Sequence, residues 1–275
     1  MRFIVSTSTL LKHLQTVNGA SSSSTVLPIL ENFLFEIKDG SLTISATDLQ
    51  TSMTTSLAVE SKEDGKVAVP ARILLDTLKT LPDQPISFNI DDHTFSIEIS
   101  AGEGKYKLSG ENGDDFPKIP VVENASSVSL PASVLSEAIT KTIFAVSSDE
   151  LRPAMTGVYC QLSAEHITFV ATDAHKLVRY RRTDSKADKT ASFILPKKAL
   201  TLLKAALPSG DSIVAVDYNA TSAFFQFENI NLVCRLIDER YPDYEAVIPA
   251  NNPNKLIIDR ALFLNTLRRV VIFAN

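Results

Sequence analysis

The chain has 275 residues, of which 44% are hydrophobic, and its formal net charge is −5. This length exceeds the usual size of one domain, and the acidic balance argues against a simple nucleic-acid-binding protein, which is usually basic overall. No apolar run approaches the roughly eighteen residues of a membrane span, and the N-terminal apolar run is too short for a signal peptide, so we expect a cytoplasmic protein.

The first half of the sequence alternates helical and strand-like patterns. Apolar residues recur at helical spacing after Ser8 and again after Pro70, and alternating segments flank a turn at 38–40. The predicted elements are, in order, a helix over 8–17, a hairpin over 30–37 and 42–46, a helix over 70–81, and strands over 86–90, 94–100 and 106–109.

The second half repeats this order about 125 residues later. The segment LTISATD at 42–48 returns as ITFVATD at 167–173, and Phe116-Pro117 returns as Tyr241-Pro242. Several anchors at one offset indicate a tandem duplication. The repeated elements are a strand over 128–130, a helix over 131–147, a hairpin over 157–162 and 167–171, a strand over 193–195 and a helix over 196–207.

A third copy begins near residue 251, with the apolar segment 256–258 followed by a helix over 259–272. We expect about 100 residues of this third unit to be absent, so the predicted domains are 1–124, 125–250 and the start of a third at 251–275. Each complete unit reads strand, helix, hairpin, strand, helix and meander, which predicts an α+β fold of antiparallel sheets with both helices on one face. Side by side, such units would place their helices on a common surface.

The two cysteines, Cys160 and Cys234, lie in apolar, strand-like segments and lack metal-ligand spacing. We therefore expect buried free thiols and a reducing compartment. The sequence contains no clustered set of His, Cys and carboxylate residues, so no metal or other cofactor is predicted.

Positive charge is concentrated on the predicted helices. The five helices carry ten basic and three acidic residues, a net charge of +7, which leaves −12 for the rest of the chain. Such a basic surface attracts a polyanion, and phosphates can be met without any base-reading group. No aromatic side chain interleaves with the lysines except Phe144 and Phe263, which fall on apolar faces of the predicted helices, so duplex backbone contact is favoured over single-strand stacking. The alternative is that these residues simply occupy solvated helix faces.

Several segments carry a resemblance to one family. The chain resembles the bacterial β sliding clamp, and the matching segments are LPILENFLFEI, ATDLQ, VPARILLDTLKTLP, GDDFP, LRPAMTGVY, ATDAHKLV, LPKKALTLL and RLIDERYPDY. The resemblance implies three similar domains per subunit, a head-to-tail homodimeric ring around duplex DNA, and no catalysis and no cofactor. It also implies a processivity role, in which one peptide pocket tethers the replicative polymerase, clamp loader and repair proteins.

The resemblance also assigns residues to three surfaces. It implies that Arg152 and Lys198 face DNA, and helix placement adds Lys12, Arg72, Lys79, Lys141, Lys197 and Lys204. The partner-peptide pocket would comprise Met155, Thr172, Ala174, His175, Lys176, Leu177, Pro242 and Val247. The subunit interface would include Ile272 and Phe273. Since the far walls of the pocket and interface belong to the third domain, we expect an incomplete pocket and no stable ring from these 275 residues.

The sequence departs from the family pattern at several of these positions. Ala174 stands where glycine is common, Lys176 where arginine is common, and Ala246 where some members have arginine. Alanine narrows the cleft, and lysine lacks the fork geometry of arginine. The serines at 21–24 stand where some clamps carry an arginine that touches DNA, and serine can only hydrogen-bond phosphate.

Two competing interpretations remain. An enzyme would have to use His175 beside Asp173, but no nucleophile elbow is present, and the repeat-equivalent Asp48 has no histidine nearby, which favours a structural turn. A peptide-binding scaffold without a DNA role would keep the pocket and treat the basic helices as solvated faces.

Overall fold

A computed structural model describes residues 1–22, 27–121 and 123–274. The chain divides into a first unit, Met1–Tyr241, and a second unit that begins at Pro242. The second unit contains one α-helix, Arg260–Val270, followed by a short 3-10 helix, Val271–Phe273.

The first repeat contains ten strands and two helices within the described residues. They are β1 Arg2–Ser6, α1 Thr7–Asn18, β2 Asn32–Lys38, β3 Ser41–Thr47, β4 Thr51–Ala58, β5 Glu60–Ser61, β6 Gly65–Pro70, α2 Ala71–Thr80, β7 Pro85–Ile90, β8 Ser96–Ala101, β9 Gly104–Ser109 and β10 Glu111–Asn112. A 3-10 helix, Pro28–Glu31, precedes β2.

The second repeat follows the same order. It consists of β11 Ser126–Pro131, α3 Ala132–Thr142, β12 Gly157–Leu162, β13 Ile167–Thr172, β14 Leu177–Arg182, β15 Ala191–Pro196, α4 Lys197–Ala206, β16 Ile213–Tyr218, β17 Ser222–Phe227 and β18 Ile230–Arg235. A 3-10 helix, Pro153–Thr156, precedes β12, as Pro28–Glu31 precedes β2. The helix Arg260–Val270 of the second unit is α5.

The strands form three antiparallel sheets. Their orders are β5-β1-β7-β8-β9, β14-β13-β12-β15, and β10-β6-β2-β3-β4-β18-β17-β16-β11. The nine-stranded sheet runs through both repeats, because β4 of the first pairs with β18 of the second, with Met53 opposite Leu232. We call this pairing the first junction. The sequence pattern predicts each repeat as its own α+β unit and does not reveal the shared sheet.

The four helices of the first unit form one layer. Helix α1 contacts α2 and the strands β3 and β4, while α3 contacts α4, and α4 contacts β18. The end of α1 meets α4 closely, since a Cβ atom added at Gly19 would lie 2.3 Å from the side chain of Leu202. The layer therefore runs α2, α1, α4, α3, as expected for adjacent repeats that place their helices on a common surface.

Each helix is held by an apolar stripe that faces a sheet. Leu10, Leu14 and Val17 are buried on α1, and Leu74 and Leu78 on α2. Full burial of one such side chain is worth about 1.5–3 kcal/mol relative to exposure. These stripes are the 3.6-residue periodicity from which the helices were predicted.

The predicted helix over 131–147 is shorter in the structure. Helix α3 ends at Thr142, and a 3-10 helix, Ile143–Ala145, follows. The Thr142 hydroxyl donates 2.7 Å to the Ala138 carbonyl, a back-bond that competes with regular helix geometry. The last predicted residues, Val146 and Ser147, lie beyond it, outside any helix.

Strands β1, β4 and β14 were not predicted from their own sequences. Strand β4 reads TSMTTSLA, and its hydroxyls are buried in pairs, with Thr47 Oγ1 2.7 Å from Ser52 Oγ and Ser45 Oγ 3.1 Å from Thr54 Oγ1. These partners come from β3, so the stabilising contacts are not visible in β4 alone. Strand β14 carries three arginines and lies at a sheet edge, where charged residues are common.

Cys160 and Cys234 are buried and form no disulfide, as predicted, and burial raises the pKa of each thiol to about 12. No helix in the described ranges is long and apolar enough to cross a bilayer. Within the same residues, no group of three or more His, Cys, Asp or Glu is placed to hold a metal ion.

Candidate functional site

The helix layer α1–α4 presents a basic surface. Its helices carry seven basic and two acidic residues, a net charge of +5 in a chain whose total is −5. All seven basic side chains belong to exposed residues; they are Lys12, Arg72, Lys79, Lys141, Lys197, Lys198 and Lys204. We call this surface the basic helix layer.

Three of the predicted DNA-facing residues are paired with carboxylates. Lys198 Nζ lies 2.5 Å from Asp48 Oδ2, Arg152 Nε lies 2.9 Å from Asp149 Oδ2, and Lys79 Nζ lies 3.3 Å from Asp76 Oδ1. Exposed pairs of this kind are weak, so each carboxylate can be exchanged for another anion. Arg152 lies in the loop before the 3-10 helix Pro153–Thr156, not on a helix of the layer.

The other five predicted DNA-facing residues form no ion pair with any residue that the structure describes; they are Lys12, Arg72, Lys141, Lys197 and Lys204. Glu137, one of the two acidic residues of the layer, is bound by Arg182, whose Nη1 lies 2.9 Å from Glu137 Oε2. That ion pair masks negative charge on α3, which leaves the exposed surface more basic than a residue count implies.

Two turns with the same geometry follow β3 and β13. In the first, Asp48 Oδ1 accepts from the backbone N–H groups of Gln50 and Thr51 at 2.9 and 2.6 Å. In the second, Asp173 Oδ1 accepts from His175 and Lys176 at 3.0 and 2.9 Å. In each turn, the hydroxyl oxygen of the threonine before the aspartate accepts a hydrogen bond from the backbone N–H of the residue after the aspartate. The prediction that this aspartate is a turn residue is confirmed.

Both turns contain a residue in left-handed backbone. Leu49 and Ala174 occupy equivalent positions, and each has φ of +73°. Side chains with a Cβ atom are strained there, whereas glycine is not. This explains in physical terms why glycine suits position 174 in a clamp, and why alanine there is a departure with an energetic cost.

Asp173 is not arranged to act with His175. Its second oxygen, Oδ2, pairs with the ammonium group of Lys176 within the same turn. The hydrogen bond from that side chain, with the backbone bonds from Lys176 and His175, lowers the pKa of Asp173 well below its usual range. His175 contributes its backbone N–H, and the residue is exposed. The carboxylate therefore holds the turn.

The predicted peptide-pocket residues of the first unit lie on three neighbouring elements. Thr172 is buried at the end of β13, Leu177 is half-buried at the start of β14, and Ala174, His175 and Lys176 are exposed between them. Met155 is half-buried in the 3-10 helix Pro153–Thr156, where its carbonyl accepts from Ser147 N at 2.9 Å. Leu177 thus directly follows a polar, exposed turn, and Met155 lies on the 3-10 helix that precedes β12.

The remaining predicted residues lie in the second unit. Pro242 is exposed, and Val247, in a short 3-10 helix, is 68% exposed. Ala246 is exposed beside it. Ile272 and Phe273, predicted for the subunit interface, are 76% and 86% exposed. These assignments stay predictions.

The serines at 21–24 are described only in part. Ser21 Oγ donates 2.7 Å to the Asn18 carbonyl at the end of α1, and Ser22 N donates 3.2 Å to the Leu30 carbonyl. Ser23 and Ser24 lie outside the described residues. Ser21 and Ser22 also line a groove of about 600 Å³ beside Arg72 and Lys79 of α2.

Sequence reasoning missed the second role of Asp48. This carboxylate, 15% exposed, ties the first turn to Lys198 of the other repeat. The repeat comparison correctly marked Asp48 as structural, but the partner comes from 150 residues away. No local pattern could have predicted that contact.

Solved structures match this fold over the full length of the chain. A DNA polymerase sliding clamp from Bacillus subtilis has a TM-score of 0.95 and 26% identity, with 100% of this chain and 74% of that chain covered. A DnaN sliding clamp from Bartonella birtlesii, bound to griselimycin, has a TM-score of 0.93 and 30% identity, with 100% and 75% covered. The fold is that of a DNA sliding clamp.

The sequence comparisons agree. Residues 1–120 match the model of the DNA polymerase III beta subunit, N-terminal domain, and residues 129–243 match that of the central domain. The beta sliding clamp of Synechococcus elongatus is 29% identical over 281 residues, covering 100% of this chain and 75% of that protein. The chain belongs to the DNA polymerase III beta subunit family, and it spans about three quarters of the length of that relative.

Membership confirms the predicted fold class and the interpretation as a non-catalytic accessory subunit in DNA replication. The enzyme interpretation of His175 and Asp173 falls with it, in agreement with the turn geometry. Within the family fold, the roles of individual residues depend on the geometry of this chain.

Proposed function

We propose that the basic helix layer faces the phosphate backbone of duplex DNA within a closed ring, and that the ring tethers replication and repair proteins along it. One observation carries the proposal. Four contiguous helices hold exposed lysines and arginines with a net charge of +5, while the whole chain is acidic. The bias is therefore local, and a polyanion is attracted to this face.

Sliding requires that these contacts be weak and exchangeable. Long, exposed lysine side chains meet phosphates at any register, because each phosphate offers the same acceptor and carries no sequence information. The exposed ion pairs of Lys198, Arg152 and Lys79 are compatible with this behaviour, since their carboxylates can be replaced by passing phosphates. The ring, more than the affinity, would keep the protein on DNA.

Ring assembly is supported by the two edge strands of the repeats. The repeat-equivalents of β4 and β18, which pair at the first junction, are β14 and β9, and both are edge strands of their sheets. An edge strand is a template for pairing with another strand. We infer that further clamp domains pair along β9 and β14 in the full-length homodimer.

Partner proteins are proposed to dock at the second turn. Met155 and Leu177 would supply apolar contacts for an extended peptide, with polar groups of the turn at the rim. The proposed partners are the replicative polymerase, the clamp loader and repair proteins, which would share a short peptide motif. The proposed domains remain 1–124, 125–250 and 251–275, supported by family matches over 1–120 and 129–243.

The test uses the full-length protein loaded onto a nicked circular duplex by its clamp loader. We expect retention that resists moderate salt and is lost when the circle is linearised, since the protein then slides off the ends. A protein that binds circular and linear DNA alike would be an ordinary DNA-binding protein. One that binds neither would favour the scaffold interpretation. We also propose a cytoplasmic location, because a clamp acts on DNA and bacterial DNA lies in the cytoplasm.

A further inference from the structure

A groove crosses the outer face of the nine-stranded sheet at the first junction. It consists of two adjoining cavities of about 420 and 310 Å³, which share Ser52, Pro120 and Val233. The segment 119–121 between the repeats forms one wall, and strands β2, β3, β4, β18, β17 and β16 contribute to the floor. We call this the first-junction groove. The basic helix layer lies on the other face of the same sheet, because His13 of α1 bonds to Thr55, which alternates with the groove residues Ser52 and Thr54 along β4.

The repeat relates this groove to the proposed peptide pocket. Leu49 and Gln50, which line it, are the counterparts of Ala174 and His175 in the second turn. Ser52, at the start of β4, is likewise the counterpart of Leu177 at the start of β14. The same backbone therefore presents different side chains at the two sites. Unlike the second turn, the first is completed within the described residues, because β18 supplies the opposite wall.

The groove contains a buried acceptor without a partner. Among the described residues, Asn231 Oδ1 is one of only two buried side-chain polar atoms that make no hydrogen bond. Asn231 lines the larger cavity and lies opposite Thr54 across the first junction. Buried acceptors in native proteins are almost always satisfied, so Asn231 Oδ1 at this cavity wall can accept a hydrogen bond from water or from a ligand donor that displaces the water.

The remaining lining selects the donor. Glu36 and Asp217 place two carboxylates on the walls of the larger cavity, and no basic residue lines it. The smaller cavity ends at Arg235 beside Gln50. Between them lie the apolar side chains of Phe224 and Val233. Glu36 on β2 and Asp217 on β16 lie on opposite sides of the groove, since four strands separate β2 from β16, and Asp217 lies opposite Phe224 in register. A groove of this length, with apolar side chains next to an acidic one, matches an extended chain better than a compact ligand.

We propose that the first-junction groove binds an extended peptide of a partner protein that carries a basic side chain and, two residues later on the same face, an apolar one. The apolar side chain rests on Val233 and Phe224, beside the 46% exposed Leu49. The basic side chain extends toward Asp217, which lies beside Phe224, and a peptide N–H or the basic group donates to Asn231 Oδ1. This inference rests on the proposed function only in that a clamp has partners to tether.

The probe is the capped tetrapeptide Ac-Lys-Ala-Leu-Ala-NH2, titrated at millimolar concentration into the ¹⁵N-labelled chain, with Ac-Glu-Ala-Leu-Ala-NH2 as the charge-reversed comparison. We expect the lysine peptide to shift the amide resonances of Ser52, Val233 and Arg235, and the glutamate peptide to bind more weakly. Asn231→Leu should weaken the lysine peptide about fivefold, because it removes one hydrogen bond. It should leave the thermal midpoint equal or higher, because it also removes the orphaned acceptor.

Two further variants complete the test. Gln226→Leu is the matched control, since Gln226 lies opposite Asn231 in register on β17 but does not line the groove. It should leave binding unchanged. Asp217→Asn keeps the size of the side chain and should reduce the preference for the lysine peptide.

Absence of shifts in the groove, or equal binding by wild type and Asn231→Leu, overturns the inference. Shifts confined to Ala174 and His175 overturn it too, while supporting the pocket at the second turn. Retention on circular DNA is measured separately, so a negative peptide result leaves the proposed clamp function intact.

Discussion

The turns after β3 and β13 share their backbone and differ in what completes them. Both place a residue at φ of +73° and both use an aspartate to accept two backbone N–H groups. In the first turn, the second carboxylate oxygen is bound by Lys198 from the other repeat; in the second, it is bound by Lys176 from the turn itself. The aspartate of the first turn therefore bonds to the other repeat, whereas the aspartate of the second turn bonds within its own turn.

The strands that follow the turns differ in the same way. Strand β4 is paired on both sides, by β3 and β18, whereas β14 is an edge strand. Duplication thus supplied one local structure twice, and the difference in function lies in the neighbours that each copy meets.

The largest expected effect comes from Asp48→Ala. This change removes two backbone hydrogen bonds to a charged acceptor and the contact with Lys198, and we expect a loss of about 2 kcal/mol in the free energy of unfolding. Asp173→Ala should cost less, since its partners all belong to one exposed turn. Urea denaturation of both variants measures the difference, and equal losses would contradict the distinction between a tied turn and an exposed one.

Lys197 and Lys198 of α4 should contribute differently to the salt dependence of DNA binding, because only Lys198 forms an ion pair among the described residues. In the full-length clamp, Lys197→Met should reduce the slope of log affinity for duplex DNA against log salt by roughly 0.9, the value for one released phosphate contact. Lys198→Met should change the slope less, because Lys198 is shared with Asp48. The measurement is a salt titration of DNA binding for both variants. A larger change for Lys198 would mean that the ion pair opens fully on DNA.

Ala174→Gly should stabilise the chain by about 0.5–1 kcal/mol, because glycine relieves the strain of left-handed backbone but loses more entropy on folding. Thermal unfolding followed by circular dichroism is sufficient. Leu49→Gly is the matched control at the equivalent φ, and it should gain less, since the leucine side chain also lines the first-junction groove. A destabilised Ala174→Gly variant would show that the entropy lost by glycine on folding outweighs the relief of backbone strain.

The smallest effect concerns acid. The folded-state pKa of Asp173 lies below its ordinary value, so its contribution is present above the unfolded pKa of about 3.9 and is lost as pH falls below it. Asp173→Asn should therefore narrow its stability difference from wild type as pH is lowered from about 5 to 3. The free energy of unfolding measured at several pH values tests this, with Asp48→Asn in parallel. A constant difference across that range would exclude a stabilising role for the ionised group.

Local patterns predicted the parts of this fold that depend on local energetics. The stripes of Leu10, Leu14 and Val17 and of Leu74 and Leu78 place α1 and α2 within one residue of the predicted bounds. The repeat correctly predicted a common helix layer. The family resemblance supplied the fold class, which the structural matches confirm.

What was missed depends on contacts between distant segments. The polar sequence of β4 is a strand because β3 and β18 satisfy it from both sides, and β14 reads as a charged run because it is an edge. The pairing of Lys198 with Asp48 and the orphaned Asn231 Oδ1 likewise arise only where the two repeats meet. The sequence therefore predicts which residues a single helix exposes, but not which residues meet where the two repeats join.

The sheet shared by the two repeats has a consequence for dissecting the gene. Expressing the two repeats as separate proteins would separate β4 from β18, so that both interior strands would become edge strands. The backbone groups of Thr51 to Thr55 would then be exposed on one protein, and those of Ile230 to Cys234 on the other. Such edges recruit other strands and promote aggregation. The repeat is thus the unit that was duplicated, but the smallest piece that keeps its interior strands interior is the pair.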